Sequence, residues 1–251
     1  MQIQRAEPQI KTISDSVYYT LRKNILDLNL KPGKSISIKD ISEELGVSRS
    51  PVRDAIIKLS KDGLVDSIPQ SGTIISKIDL KRVAEERFLR EALEEKTLPL
   101  FLEIYQEKDI TFLKERIKGQ RACMENGSYS EFLEHDDLFH EIFFQVSEKT
   151  MCWKTVQSMS GHYRRVRFMS LWNDSIMQQI IAEHEQLLNF ILTKNEVETA
   201  KLIRIHCSQQ KKEEKHLLRK FPEYFWKLEE QDITESESFL KKDFLNINTG
   251  R

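Results

Sequence analysis

Apolar positions recur every three to four residues along most of this chain, and the exceptions mark where the chain turns. Val17, Leu21, Ile25 and Leu28 form one stripe, which predicts a helix over 15–28. Lys31-Pro32-Gly33 then turns the chain. Ser37 with Asp40 three residues later resembles a capping box, and Ile38, Ile41 and Leu45 give the helix that follows an apolar face. Gly46 ends that helix, Val47 fills the turn, and Ser48 is placed to cap a second helix with Pro51 in its first turn. Val52, Ala55, Ile56 and Leu59 are that helix's buried face, and Gly63 closes it. The period then changes. Leu64-Val65 and Thr73-Ile74-Ile75 are short strand-like runs, with Ile68-Pro69-Gln70-Ser71-Gly72 as the tip between them. This succession predicts a winged helix-turn-helix.

From Asp79 to about Lys220 only helical periodicity remains. It predicts helices over 79–95, 97–106, 109–126, 129–147, 150–171, 174–194 and 196–219, with breaks at Asn126-Gly127-Ser128, Asn173-Asp174 and Lys194-Asn195-Glu196. Short connections between six or seven helices imply an antiparallel bundle. The expected fold is mainly α. Residues 1–13 form a mobile arm, 14–77 the winged helix-turn-helix, 78–222 the all-helical domain, and 223–251 a partly ordered tail. The alternative for the tail, which carries Phe225, Trp226, Phe239 and Phe244, is that it docks on the bundle. Lys77-Ile78 is a very short linker, so a change in the second domain can re-aim the first.

Composition narrows the partners. Hydrophobic residues at 39% and charged residues at 31% describe a soluble, helix-rich protein. No run approaches the ~20 apolar residues that a membrane span needs. The first residues lack an apolar signal core, and Cys123, Cys152 and Cys207 show no metal-type pairing, so free thiols in the cytoplasm are expected. The net charge of -1 argues against non-specific coating of nucleic acid. Positive charge has to act locally, through Arg49, Arg53, Lys58 and Lys61. Arg49, Ser50 and Arg53 lie near the start of the second helix, away from its buried face. That end can present guanidinium and hydroxyl groups to base edges and phosphates in the major groove.

The helical domain holds a possible divalent-metal site. Asp136 and His140 share a helical face, and His184 and His206 lie within two later helices. One Asp and three His suit Zn²⁺, Ni²⁺ or Mn²⁺. A histidine inside a helix is more often solvated or hydrogen-bonded to protein, so spacing alone leaves that alternative open; it is the reading kept for His135, His162 and His216.

Several separated words resemble a known family. Leu30-Lys31-Pro32-Gly33, then Gly46-Val47-Ser48-Arg49-Ser50-Pro51-Val52-Arg53-Asp54-Ala55-Ile56, then Lys61-Asp62-Gly63-Leu64-Val65, then Gly72, resemble the winged-helix signature of GntR-family bacterial transcription regulators. The resemblance implies DNA contact from Ser48, Arg49, Ser50 and Arg53, phosphate contact at Lys39, and approach to the minor groove at Gly72. Lys39 stands where some members have Arg, which keeps the charge and loses the fork. Phe132-Leu133, Asp136-Asp137-Leu138-Phe139-His140, Glu183-His184-Glu185-Gln186-Leu187-Leu188 and Glu198-Thr199-Ala200 resemble the FCD effector-binding domain of the FadR-type branch. That resemblance implies a metal held centrally by Asp136, His140, His184 and His206. Arg87, Arg90, Arg164, Arg165 and Arg167 are candidates to aim a guanidinium at a small carboxylate effector, beside the alternative of solvated helix faces.

The expected function is a homodimeric, ligand-responsive regulator that binds duplex operator DNA and acts as a repressor. Two alternatives stand beside it: a metal-dependent enzyme with a DNA-tethering head, and a constitutive DNA binder with a structural metal. Glu141 and Glu183 adjoin two ligands in sequence, which turns each about 100° from the metal on an ideal helix, so neither serves as a base. No separate acid/base pair, nucleophile or cofactor loop is present, and an enzyme is not expected.

Overall fold

The computed structural model describes residues 12–68, 72–208 and 210–226. The proposed arm before residue 12 and the tail beyond residue 226 lie outside them.

Two hydrophobic cores organise the chain. The first is built from α1 (Ile13–Leu26), β1 (Ser35–Ile36), α2 (Ile38–Leu45), α3 (Arg49–Lys61), β2 (Val65–Ile68) and β3 (Gly72–Ile75). Leu21, Ile25, Leu30, Ile41, Val52, Leu59 and Leu64 fill it. Ser37 caps α2 by accepting from the Asp40 N–H, and Gly46 leaves α2 at φ 67°, a conformation glycine adopts without a Cβ penalty. Ser48 has extended cap geometry, but its hydroxyl makes no capping hydrogen bond, contrary to the expected cap. The sheet order is β1-β3-β2, with both pairings antiparallel. Strand β1 was not foreseen: two residues are too short for alternation to show. Gly72 begins β3 at φ 88°, and the tip at 69–71 lies outside the described residues.

The second core belongs to α4 (Leu80–Ile104), α5 (Glu107–Asn126), α6 (Tyr129–Val146), α7 (Thr150–Met159), α8 (Gly161–Ser170), α9 (Asp174–Leu192), α10 (Glu196–Ser208) and α11 (Gln210–Lys220). Phe101, Phe132, Phe139, Phe143, Trp153 and Ile191 are among its buried residues. Two expected boundaries are corrected. The helices expected over 79–95 and 97–106 are one, because Thr97, Leu98, Phe101 and Leu102 continue α4's buried face past Lys96, with Pro99 inside the helix. The helix expected over 150–171 is two, separated at Ser160. Gly161 opens the second against the first core, where a Cβ would stand 2.7 Å from Leu64 Cδ2.

The linker is not loose. Ile78 is fully buried in the second core, and Phe225 pairs with it in a parallel bridge. Of the expected tail, Phe225 is buried in the second core, and residues 227–251, with Phe239 and Phe244, lie outside the described residues. Elsewhere, Arg22 donates to the Gln157 carbonyl, and Ser130 donates to Asp27, so α1 also rests on the bundle.

Candidate metal centre and nucleic-acid face

Asp136 and His140 come from α6, one turn apart, His184 from α9 and His206 from α10. Their candidate ligand atoms all lie within 4.8 Å of one another. His140 Nε2 and His184 Nε2 are 3.3 Å apart, and Asp136 oxygens lie 3.9 and 3.6 Å from them. His140 and His184 are fully buried.

The other ring nitrogens show how the site is built. His140 Nδ1 lies 2.6 Å from a Glu94 carboxylate oxygen, His184 Nδ1 2.7 Å from Gln120 Oε1, and His206 Nδ1 2.7 Å from Glu183 Oε2. Each partner accepts, so each Nδ1 carries the proton and donates it. Each Nε2 then faces the centre with a lone pair. Three lone pairs and a carboxylate converging in a buried volume repel one another unless a cation sits among them, so the donor set fits a divalent ion of the Zn²⁺, Ni²⁺ or Mn²⁺ class. Burial holds His140 below the ordinary imidazole range and His184 well below it, which favours the neutral form that a metal requires.

Glu94, Gln120 and Glu183 were not assigned these roles from the sequence. Glu94 and Gln120 sit on α4 and α5, and only packing brings them to their histidines. Glu183 had been placed away from the centre. It is, but it reaches His206 from outside.

The arginine candidates divide. Arg90 and Arg167 both reach Asp136, Arg90 at 3.4 Å and Arg167 by a short contact, and both line a cavity of about 180 Å³ beside the centre. Tyr163, Glu183, His206, Ile180 and Glu213 share its walls. Burial opposes ionisation of Asp136, but Arg167, His140 and Arg90 outweigh it and hold the carboxyl well below its usual range. The other three do not line the cavity. Arg87 pairs with Glu214, Arg164 pairs with Asp137, and Arg165 is fully buried against Ser76 at the linker. The shape of α8 explains the split. Positions 163 and 167 share one face, whereas 165 is about 200° from 167.

His135 and His216 stay outside the cluster, and so does His162. His162 Nδ1 accepts from the Asp79 N–H at 3.0 Å, and its Nε2–H donates to the Gly63 carbonyl at 3.1 Å. It joins the two cores instead.

At the other end of the molecule, Lys39, Ser48, Arg49, Ser50, Arg53 and Gly72 are all exposed. Lys39, Arg49, Arg53 and Gly72 line one shallow groove with Ile36, Ser37, Ile38 and Thr73. Arg49 and Arg53 are exposed at the start of α3, whose buried residues are Val52, Ala55, Ile56 and Leu59. No described helix is long and apolar enough to cross a membrane.

Comparison with known proteins bears on both halves. Residues 13–75 match the model for "Bacterial regulatory proteins, gntR family", and residues 87–209 match that for the FCD domain. The chain is 30% identical over 172 residues to the HTH-type transcriptional repressor RspR of Escherichia coli K12, spanning 68% of this chain and 75% of that protein. It is also 30% identical over 196 residues to an uncharacterized HTH-type transcriptional regulator of Streptomyces ambofaciens, spanning 78% and 82%. Among solved structures, E. coli McbR/YncC superposes with a TM-score of 0.70 at 18% identity, covering 80% of this chain and 95% of that one. A GntR regulator from Rhodococcus sp. RHA1 gives 0.68 at 18%, covering 78% and 94%.

Proposed function

The chain belongs to the GntR family of bacterial regulatory proteins, with an FCD domain behind its winged helix, and from that premise we propose that it is a homodimeric repressor whose operator affinity answers to a divalent metal and a small carboxylate. The division is a head over 14–77 and an effector domain over 78–222. The observation that carries the DNA half is the exposed start of α3. Arg49, Ser50 and Arg53 are exposed at the N-terminal end of a helix anchored in the core by Val52, Ala55, Ile56 and Leu59, beside Lys39 on α2 and Gly72 on the wing. In this reading α3 enters the major groove, Arg49 and Arg53 read base edges, Lys39 and the hydroxyls of Ser48 and Ser50 fix register on phosphates, and Gly72 lets the wing backbone approach the minor groove.

In the effector domain, Asp136, His140, His184 and His206 would hold the metal. When bound, the ion would supply open coordination positions that can take a carboxylate oxygen. Arg90 and Arg167 already hold one carboxylate, that of Asp136, at the cavity wall. The same guanidinium groups can fork an effector carboxylate. A cavity of about 180 Å³ suits a small organic acid. The enzymatic alternative needs a base aimed at substrate, whereas Glu94 and Glu183 are committed to His140 and His206, and the family is one of transcription regulators.

The test is operator selection from a random duplex pool followed by titration of variants. Arg49→Ala and Arg53→Ala should each lose about 1–3 kcal/mol of affinity for the selected site and relax specificity at one base pair. Undiminished binding by both variants would overturn the assignment.

A further inference from the structure

The linker between the two cores is gripped at Ser76 by α8 and at Ile78 by the segment that follows α11. Arg165 Nη1 donates to the Ser76 carbonyl at 2.6 Å, and Nη2 donates to the Ser76 hydroxyl at 3.3 Å. That hydroxyl in turn donates to Gly63 O, in the turn after α3. Two residues on, the Ile78 N–H donates to the Tyr224 carbonyl at 2.8 Å, and the Trp226 N–H donates back to the Ile78 carbonyl at 3.0 Å. Phe225, 1% exposed, seals this contact.

The holders are not arbitrary elements. Arg165 belongs to α8, whose opposite face presents Tyr163 and Arg167 to the cavity. Phe225 and Trp226 follow α11 by a single turn, Pro222–Tyr224, and α11 presents Glu213 to the same cavity. Glu214, the next residue, is paired with Arg87 on α4. Thus one grip on the linker is the far side of α8 and the other follows closely on α11, and both helices wall the cavity. Arg165 sharpens the point. It is fully buried, and its hydrogen bonds among the described residues go to Ser76, the Gly161 carbonyl and His162, while the carboxylates of Glu86 and Asp66 act on it through charge without a direct hydrogen bond. Burying a guanidinium is costly, and packing alone would be served better by an apolar side chain. The strap, moreover, lies beyond residue 209, where the FCD match ends.

We propose that Arg165 and the Phe225–Trp226 strap are positioning residues that set the orientation of the winged helix according to what occupies the cavity. A shift of α8 or α11 is passed to Ser76 or Ile78 and, through Gly63, to the C-terminal end of α3. Packed helices respond to a ligand by moving as units, which suits this arrangement. The proposal rests on the reading that the cluster at Asp136 binds metal, and Zn²⁺ alone is the probe.

The experiment uses the full chain and its selected operator. Operator Kd is measured in chelator and in Zn²⁺ for the parent, Arg165→Lys, Trp226→Pro, Phe225→Ala and Phe225→Leu, and Zn²⁺ affinity is titrated separately for each. Trp226→Pro removes one N–H donor and leaves Phe225, whose backbone is already extended (φ -106°, ψ 151°) as a residue before proline requires. The parent should show a Zn²⁺-dependent change in Kd of about 5-fold or more. Arg165→Lys, Trp226→Pro and Phe225→Ala should bind Zn²⁺ like the parent while that change collapses to near unity, and Phe225→Leu should restore most of it. If the three variants keep the parent's change, the proposal is overturned. It is overturned equally if the parent binds Zn²⁺ and its Kd does not move. If the parent takes up no Zn²⁺, the titration assigns the failure to the metal reading, and the relay falls with its input.

Discussion

At the scale of single residues, the centre depends on which nitrogen of each histidine is free. Glu94, Gln120 and Glu183 each take an Nδ1–H and so turn an Nε2 inward. Glu94 stays ionised: burial opposes this, and His140 and Arg90 beside it outweigh the burial. Removing such a partner frees the ring to rotate and weakens its basicity. Glu94→Ala and Gln120→Ala should therefore each lower metal affinity about 10–100-fold while all four ligands remain. Competition titration against a chelating dye measures this, and unchanged affinity in both variants would show that the rings are held by packing alone. The grouping of Asp136, His140, His184 and His206 was legible beforehand because Asp136 and His140 share a helical face and because the words around them resemble a family. Their partners were not. A carboxylate on α4 and an amide on α5 carry no local signal of the histidines they will meet. One hint existed: Glu86, Arg87, Arg90 and Glu94 put charges on the helical face that Val83, Leu98 and Phe101 continue as core.

At the scale of elements, α8 is the piece that the sequence hid best. Periodicity runs through Ser160-Gly161, so one helix was expected where there are two. The break lets α8 start flush against Leu64. It also places the N–H groups of His162 and Tyr163 on the carboxylate of Glu86. This junction has a pH signature. Burial, with Arg165 and Arg82 nearby, depresses His162 to about 2. Burial raises Glu86 to about 7, against hydrogen bonds from Tyr163 and His162 and the charges of Arg82 and Arg165. An unfolded histidine takes up a proton below about pH 6.5, and this folded one does not, so acidification destabilises through His162. Glu86 acts in the opposite sense. Folded, it binds a proton below about 7, whereas unfolded it does so only below about 4.5. Between pH 6.5 and 4.5 the two slopes oppose each other. His162→Gln removes the destabilising one. Its deficit in stability relative to the parent at pH 7.5 should therefore shrink as pH falls from 6.5 to 4.5, by up to ~1.4 kcal/mol per unit. Urea unfolding in chelator at pH 7.5 and 4.5 measures this. A deficit of the same size at both would place His162 in an ordinary, titrating environment.

At the scale of the whole molecule, the architecture was legible and its wiring was not. The winged head followed from caps, glycines and a change of period, and the bundle from the absence of alternation after Asp79. The shortness of the linker Lys77-Ile78 was legible, but the burial of Ile78 and its bridge to Phe225 were not. That contact joins positions about 150 apart, which no local pattern can signal. A single winged helix touches few base pairs, so a specific site calls for two half-sites and two chains. Sedimentation at micromolar concentration should show a dimer, with and without operator; a monomer in both would contradict the assembly. The account as a whole stands on the centre formed by Asp136, His140, His184 and His206. Its most direct test is the metal content of the purified parent beside His184→Ala and His206→Ala, each after exposure to Zn²⁺, Ni²⁺ and Mn²⁺ and removal of excess ion. The parent should retain close to one divalent ion per chain and the variants far less. Equal, near-zero metal in all three would contradict the centre and the switch built upon it.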